Sequence, residues 1–112
     1  MIDPAAIRDI IEMYRKHGWA FRRVLLSGDI SVNVDTFSGV EVAESDIDAL
    51  WFSRPSPYGG TAWELRHLGS APLAFVTVIA NDASDAEDRI ADTEQRLRDA
   101  LEGRKSGGTP TA

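Results

Sequence analysis

A chain of 112 residues, 43% apolar and 27% charged, has the size and make-up of one soluble domain that folds around its own core. It contains no cysteine, which excludes disulfides, thiolate catalysis and Cys-ligated metal, and its net charge of −6 speaks against tracking a phosphate backbone. No apolar run approaches the roughly 20 residues of a bilayer span, and the first residues lack the basic-then-apolar order of a secretory signal, so the expectation is a cytoplasmic protein with neither a nucleic-acid nor a membrane partner.

The first element reads as a helix. Asp3 can cap it, and Pro4 suits a first helical position, where a missing N–H costs nothing. At about 100° per residue, Ile7, Ile10, Ile11 and Tyr14 share one arc, and Arg8, Asp9, Glu12 and Arg15 fill the other. Gly18 supplies a left-handed stop.

Residues 19–27, "WAFRRVLLS", are rich in aromatic and branched side chains and read as a strand. After a turn at "SGD", residues 30–35 alternate Ile30, Val32 and Val34 with Ser31, Asn33 and Asp35, a second strand with one wet face. "VEVAESDID" reads as a short edge strand followed by an acidic loop. Residues 28–50 carry six acids and no base. A calcium loop starting at Asp29 fails, because Val34 stands where the sharp turn needs Gly and Val40 where a bidentate Glu is needed.

Three more strands follow, at residues 48–54, 61–68 and 72–80. Short turns join them, so neighbours should pair antiparallel. The first turn, "PSPYGG", is explained as a hairpin connection: Pro55 and Pro57 stiffen the exit, and Gly59-Gly60 permit positive φ for the return. It is not a phosphate cradle, since such loops feed a helix N-terminus and this one feeds an alternating strand.

A second helix begins near Ser84, which forms an S-x-x-E box with Glu87. Ala86, Ile90, Thr93, Leu97, Ala100 and Leu101 make a narrow apolar stripe. Asp85–Arg89, Asp92–Arg96 and Glu94–Arg98 are acid-first pairs four residues apart. Gly103 is expected to end the helix. The organisation expected is a single α+β domain over residues 1–104, with a flexible tail over 105–112. It would hold an N-terminal helix, an antiparallel β-meander of about four to six strands and a C-terminal helix, both helices packed on one sheet face.

Chemistry is sparse. His67 shares a strand face with Trp63 and Leu65, but the only other histidine is His17, at a helix end, and no H-E-x-x-H or nucleophile elbow is present. No cofactor, metal or catalytic residue is expected. One pattern stands out in "LAFVTVIA", where Ala74, Val76 and Val78 are as apolar as the residues alternating with them. A sheet face left over in this way, rimmed by Arg22, Glu64 and Arg66 and reached by Tyr58 at the hairpin tip, has the anatomy of a protein interface. The leading expectation is therefore a non-catalytic, acidic interaction module of accessory, adaptor or chaperone-like type, acting on a protein partner or as a homodimer. The competing expectation is an enzyme or small-molecule binder with a pocket between helices and sheet near Tyr58, Trp63 and His67.

Overall fold

A computed structural model describes residues 4–27, 40–68 and 73–106. The order is α1 (Pro4–Lys16), β1 (Ala20–Leu26), β2 (Glu41–Glu44), β3 (Ala49–Pro55), β4 (Thr61–His67), β5 (Ala74–Ile79) and α2 (Ala86–Ser106). The five strands form one mixed sheet in the order β2-β1-β3-β4-β5. Asp3, the strand expected at 30–35 and the turns at 28–29, 36–39 and 69–72 lie outside the described residues, as do residues 107–112 of the expected tail.

The end of α1 shows how local sequence sets local structure. Gly18 takes φ +85°. Trp19 N then donates to Tyr14 O and Gly18 N to Arg15 O, both at 3.0 Å. These bonds close a Schellman motif, and the accompanying apolar contact is Trp19 edge-on to Tyr14, centroids 6.1 Å apart.

Strands β1, β3, β4 and β5 pair antiparallel, as the short turns required. The expected short strand in 40–48 is present as β2 at the sheet edge, but it runs parallel to β1, with Arg23 opposite Glu41 and Leu26 opposite Glu44. The sheet is thus not a pure antiparallel meander. A parallel neighbour needs a connection of a dozen or more residues, and residues 27–40 supply one.

The two helices do not share a sheet face. Central strand β3 is buried on both sides from Ala49 to Ser53. Leu50 and Phe52, with Val24, pack against Ile7, Ile11 and Tyr14 of α1. Ala49 and Trp51, with Leu25 and Leu65, pack against Ile90 and Leu97 of α2. Successive strand residues point to opposite faces, so the sheet lies between α1 and α2. The reason is the continuous apolar run of β3 and the Val24-Leu25 pair of β1, which supply two buried faces where alternation with polar residues would have supplied one.

Helix α2 runs through Gly103 to Ser106. Gly103 does not take a positive φ, and a glycine inside a helix costs only about 1 kcal/mol relative to alanine. At the other end, the first backbone bond runs from Arg89 N to Asp85 O, so the cap sits at Asp85, one residue after the box read from Ser84. Of the three expected acid-first pairs, Asp85–Arg89 forms, at 3.1 Å. Arg98 instead reaches Asp46 at 2.8 Å, which holds the Asp46 carboxyl below its usual range through that hydrogen bond. Arg96 lies over the Phe75 ring, and Glu94 accepts from Trp51 Nε1 at 2.9 Å.

Candidate functional site

The β3–β4 hairpin loop is a plain chain reversal. Ser56 N donates to Gly60 O and Gly59 N to Ser56 O, with Gly59 at φ +96° and Gly60 at φ +77°. Gly60 is also pressed against β5: a Cβ there would sit 2.5 Å from Ile79 O. Tyr58 stands at the tip, 96% exposed.

Beside the loop, one face of β4 and β5 is left uncovered by the described residues. Registry places Ala62 beside Val78, Glu64 beside Val76 and Arg66 beside Ala74. Glu64 is also opposite Phe52, so these rungs continue the face on which α1 packs. Helix α1 covers β1 and β3 and stops short of them. Val76 and Val78 are therefore 49% and 48% exposed, and Ala74 is exposed too. Their alternating neighbours Phe75 and Ile79 face α2. Strand β5 is an edge strand, and from Leu73 to Ala80 it carries no charge. The opposite edge, β2, is bounded by Glu41 and Glu44, charges of the kind that discourage edge pairing.

Glu64 is the polar pivot of this face. Tyr14 Oη donates to its carboxylate. Burial first, and then that hydrogen bond, push the Tyr14 hydroxyl above its ordinary pKa. Between α1 and the strands a groove of about 420 Å³ is lined by Met13, Tyr14, Arg54 and Glu64. Arg54 lies 4.4 Å over the Trp19 ring and donates to His17 O.

Six of the seven expected interface residues meet on this face or at its hairpin end: Glu64, Arg66, Ala74, Val76 and Val78 share the face, and Tyr58 stands at the hairpin tip. Arg22 does not belong there. Phe21 pairs with Phe52 and Arg23 with Trp51, so Arg22 is the extra residue of a β-bulge. A bulge sets two residues against one partner and re-aims side chains. Both Arg22 and Arg23 consequently lie on the α2 side with Trp51.

The bulge opens onto a second feature, a cleft of about 390 Å³ between the start of α2 and the sheet. Trp51, Trp63, Ile79 and Ile90 supply its apolar floor, and Arg22, Arg23, Glu41 and Glu87 its charged rim. Arg22 Nε donates to Ser53 Oγ at 2.7 Å, and Ser53 is buried. Arg23 pairs with Glu41. The trio Tyr58, Trp63 and His67 does not form a pocket. Trp63 alone lines the cleft, Tyr58 is in solvent, and His67 is at the far end of β4, where its backbone N donates to Leu73 O. A spacing of four residues along a strand separates Trp63 from His67 by about 13 Å. The cleft residues Arg23, Glu41 and Trp51, and Ser53 behind Arg22, carried no signal in the sequence beyond the adjacent arginines.

Among the described residues no helix is long and apolar enough to cross a membrane, and no three His, Asp or Glu side chains gather to hold a metal ion. Compared with protein-family models, curated proteins and solved structures, the chain matches none.

Proposed function

We propose that this chain is a non-catalytic protein–protein interaction module, an acidic accessory or adaptor protein of the cytoplasm, that pairs with a second copy of itself through the outer edge of β5. One observation carries the reading: Val76 and Val78 stand half in solvent on an uncharged edge strand. An edge strand offers a row of backbone donors and acceptors, and long apolar edges without charges attract another strand. Antiparallel pairing of a strand with its own copy is isologous, so one surface serves both partners around a two-fold axis. The acids on β2 leave β5 as the unguarded edge.

Pairing also joins the two uncovered faces. Ala62, Val76 and Val78 of each copy would form one apolar floor between the two α1 helices, with Glu64 and Arg66 at its sides. That floor is the surface a further protein partner would meet, and Tyr58 at each hairpin tip adds aromatic area at small entropic cost.

Single-cysteine chemistry tests the pairing, because the chain has no cysteine of its own. Directly opposed residues of antiparallel strands bring their Cβ atoms within about 4.5–5.5 Å. The two-fold axis lets at most one of these valines face its own copy, so Val76→Cys, Val78→Cys or the double variant of the two, according to register, should cross-link to dimers under mild copper oxidation, while Val42→Cys on the opposite edge should stay monomeric. Equal cross-linking at all three positions, or none at 76, at 78 or in the double variant, would remove the β5 interface.

A further inference from the structure

We infer that the cleft under the first turn of α2 is a binding site for a small planar carboxylate with an aromatic body, a site separate from the β5 edge. The inference begins with the bulge. Regular alternation would send Arg22 and Arg23 to opposite faces; the bulge sets both against Trp51, on the cleft side. The two arginines are then used differently. Arg23 is paired with Glu41. Arg22 is held through Nε by the buried Ser53 hydroxyl, and among the described residues no carboxylate pairs with it. That leaves the terminal fork of its guanidinium, the part that matches a carboxylate with two parallel hydrogen bonds.

The floor supplies the rest of the recognition. Trp51 and Trp63 meet edge to face, centroids 6.2 Å apart at 79°, and Trp51 is locked by its bond to Glu94. The buried Trp51 thus backs the half-buried Trp63 edge-on, and the ring that Trp63 presents favours a flat aromatic body over a flexible chain. The volume is at the small end of the range for small-molecule sites and suits one or two rings. Glu87 on the far rim does not cancel Arg22. It lies in the first turn of α2, where the positive end of the helix dipole compensates its charge. Glu41 is already neutralised by Arg23.

The experiment uses the full chain, labelled with nitrogen-15, and two probes of matched shape: 2-naphthoate and the neutral 2-naphthalenemethanol. The indole N–H signals of Trp51 and Trp63 report the floor directly. Expected are saturable shifts of both indoles with the acid, and binding of the alcohol about tenfold or more weaker, the value of a charge-assisted hydrogen bond. Arg22→Gln, at an exposed position, should bring the two probes to near parity. Absence of saturation, equal binding of acid and alcohol by the native chain, or an unchanged preference in Arg22→Gln would overturn the site. Should Arg22→Gln fail to fold, the acid-to-alcohol ratio of the native chain decides alone.

Discussion

Tyr14 of α1 lies flat on Phe52 of β3, ring centroids 4.0 Å apart and planes within 12°, while its hydroxyl crosses to Glu64 on β4. One side chain thus joins a helix to two strands and ends at the polar pivot of the uncovered face. Its two contributions are separable. Tyr14→Phe keeps the stack and should cost about 1 kcal/mol, and Tyr14→Ala should cost about 3–5 kcal/mol through the lost aromatic packing. Urea unfolding of the two variants measures both.

The same tyrosine sets an alkaline limit. Its folded pKa is raised above the ordinary value of about 10, first by burial and then by the bond to Glu64. A group whose pKa is raised on folding binds more protons in the folded state above the unfolded pKa. Stability therefore falls as pH climbs past about 10, and the contribution is complete below it. Unfolding midpoints at pH 9 and pH 11 should differ more for the native chain than for Tyr14→Phe, which has no hydroxyl to titrate.

Glu94 and Asp92, two residues apart on α2, should respond very differently to truncation. Glu94 accepts from the indole of Trp51, which is 1% exposed. Glu94→Ala strands a buried donor and should cost about 1–3 kcal/mol. Asp92 is exposed, and its expected partner Arg96 lies instead over Phe75. Asp92→Ala should stay within about 0.5 kcal/mol of the native chain in thermal unfolding.

The two glycines of the hairpin are also unequal. Both take positive φ, but a Cβ at Gly59 meets open space and one at Gly60 meets the backbone of Ile79. Gly59→Ala should cost about 1–2 kcal/mol for the left-handed conformation alone. Gly60→Ala should cost clearly more, because β4 and β5 must separate to admit the methyl group. Calorimetry of the pair gives the difference, and it should be visible in the hydrogen exchange of β5.

What could be read from the sequence was whatever local chemistry decides. Gly18 ended α1 because its carbonyl-capping bonds need only neighbouring residues, and the Pro55–Gly60 stretch made a hairpin because its φ requirements are its own. The exposed valines of β5 were legible for the same reason, as a strand apolar on both sides. Three features were not legible. The run "ALWF" in β3 says that both faces are buried but not which helix covers which. The bulge at Arg22 has no residue signature, yet the extra residue turned that side chain to the other face and built the cleft. The bond from Arg98 to Asp46 spans the chain and displaced the local pair with Glu94.

The central claim is that uncharged β5 pairs with its own copy, and the mass of the chain in solution tests it most directly. Sedimentation equilibrium of the native chain at micromolar concentration should give twice the mass of one chain. Val76→Glu, which sets a charge on the exposed edge, should give the single-chain mass with its circular dichroism unchanged. A native chain that sediments as a monomer, or a folded Val76→Glu that stays at the doubled mass, would contradict the pairing.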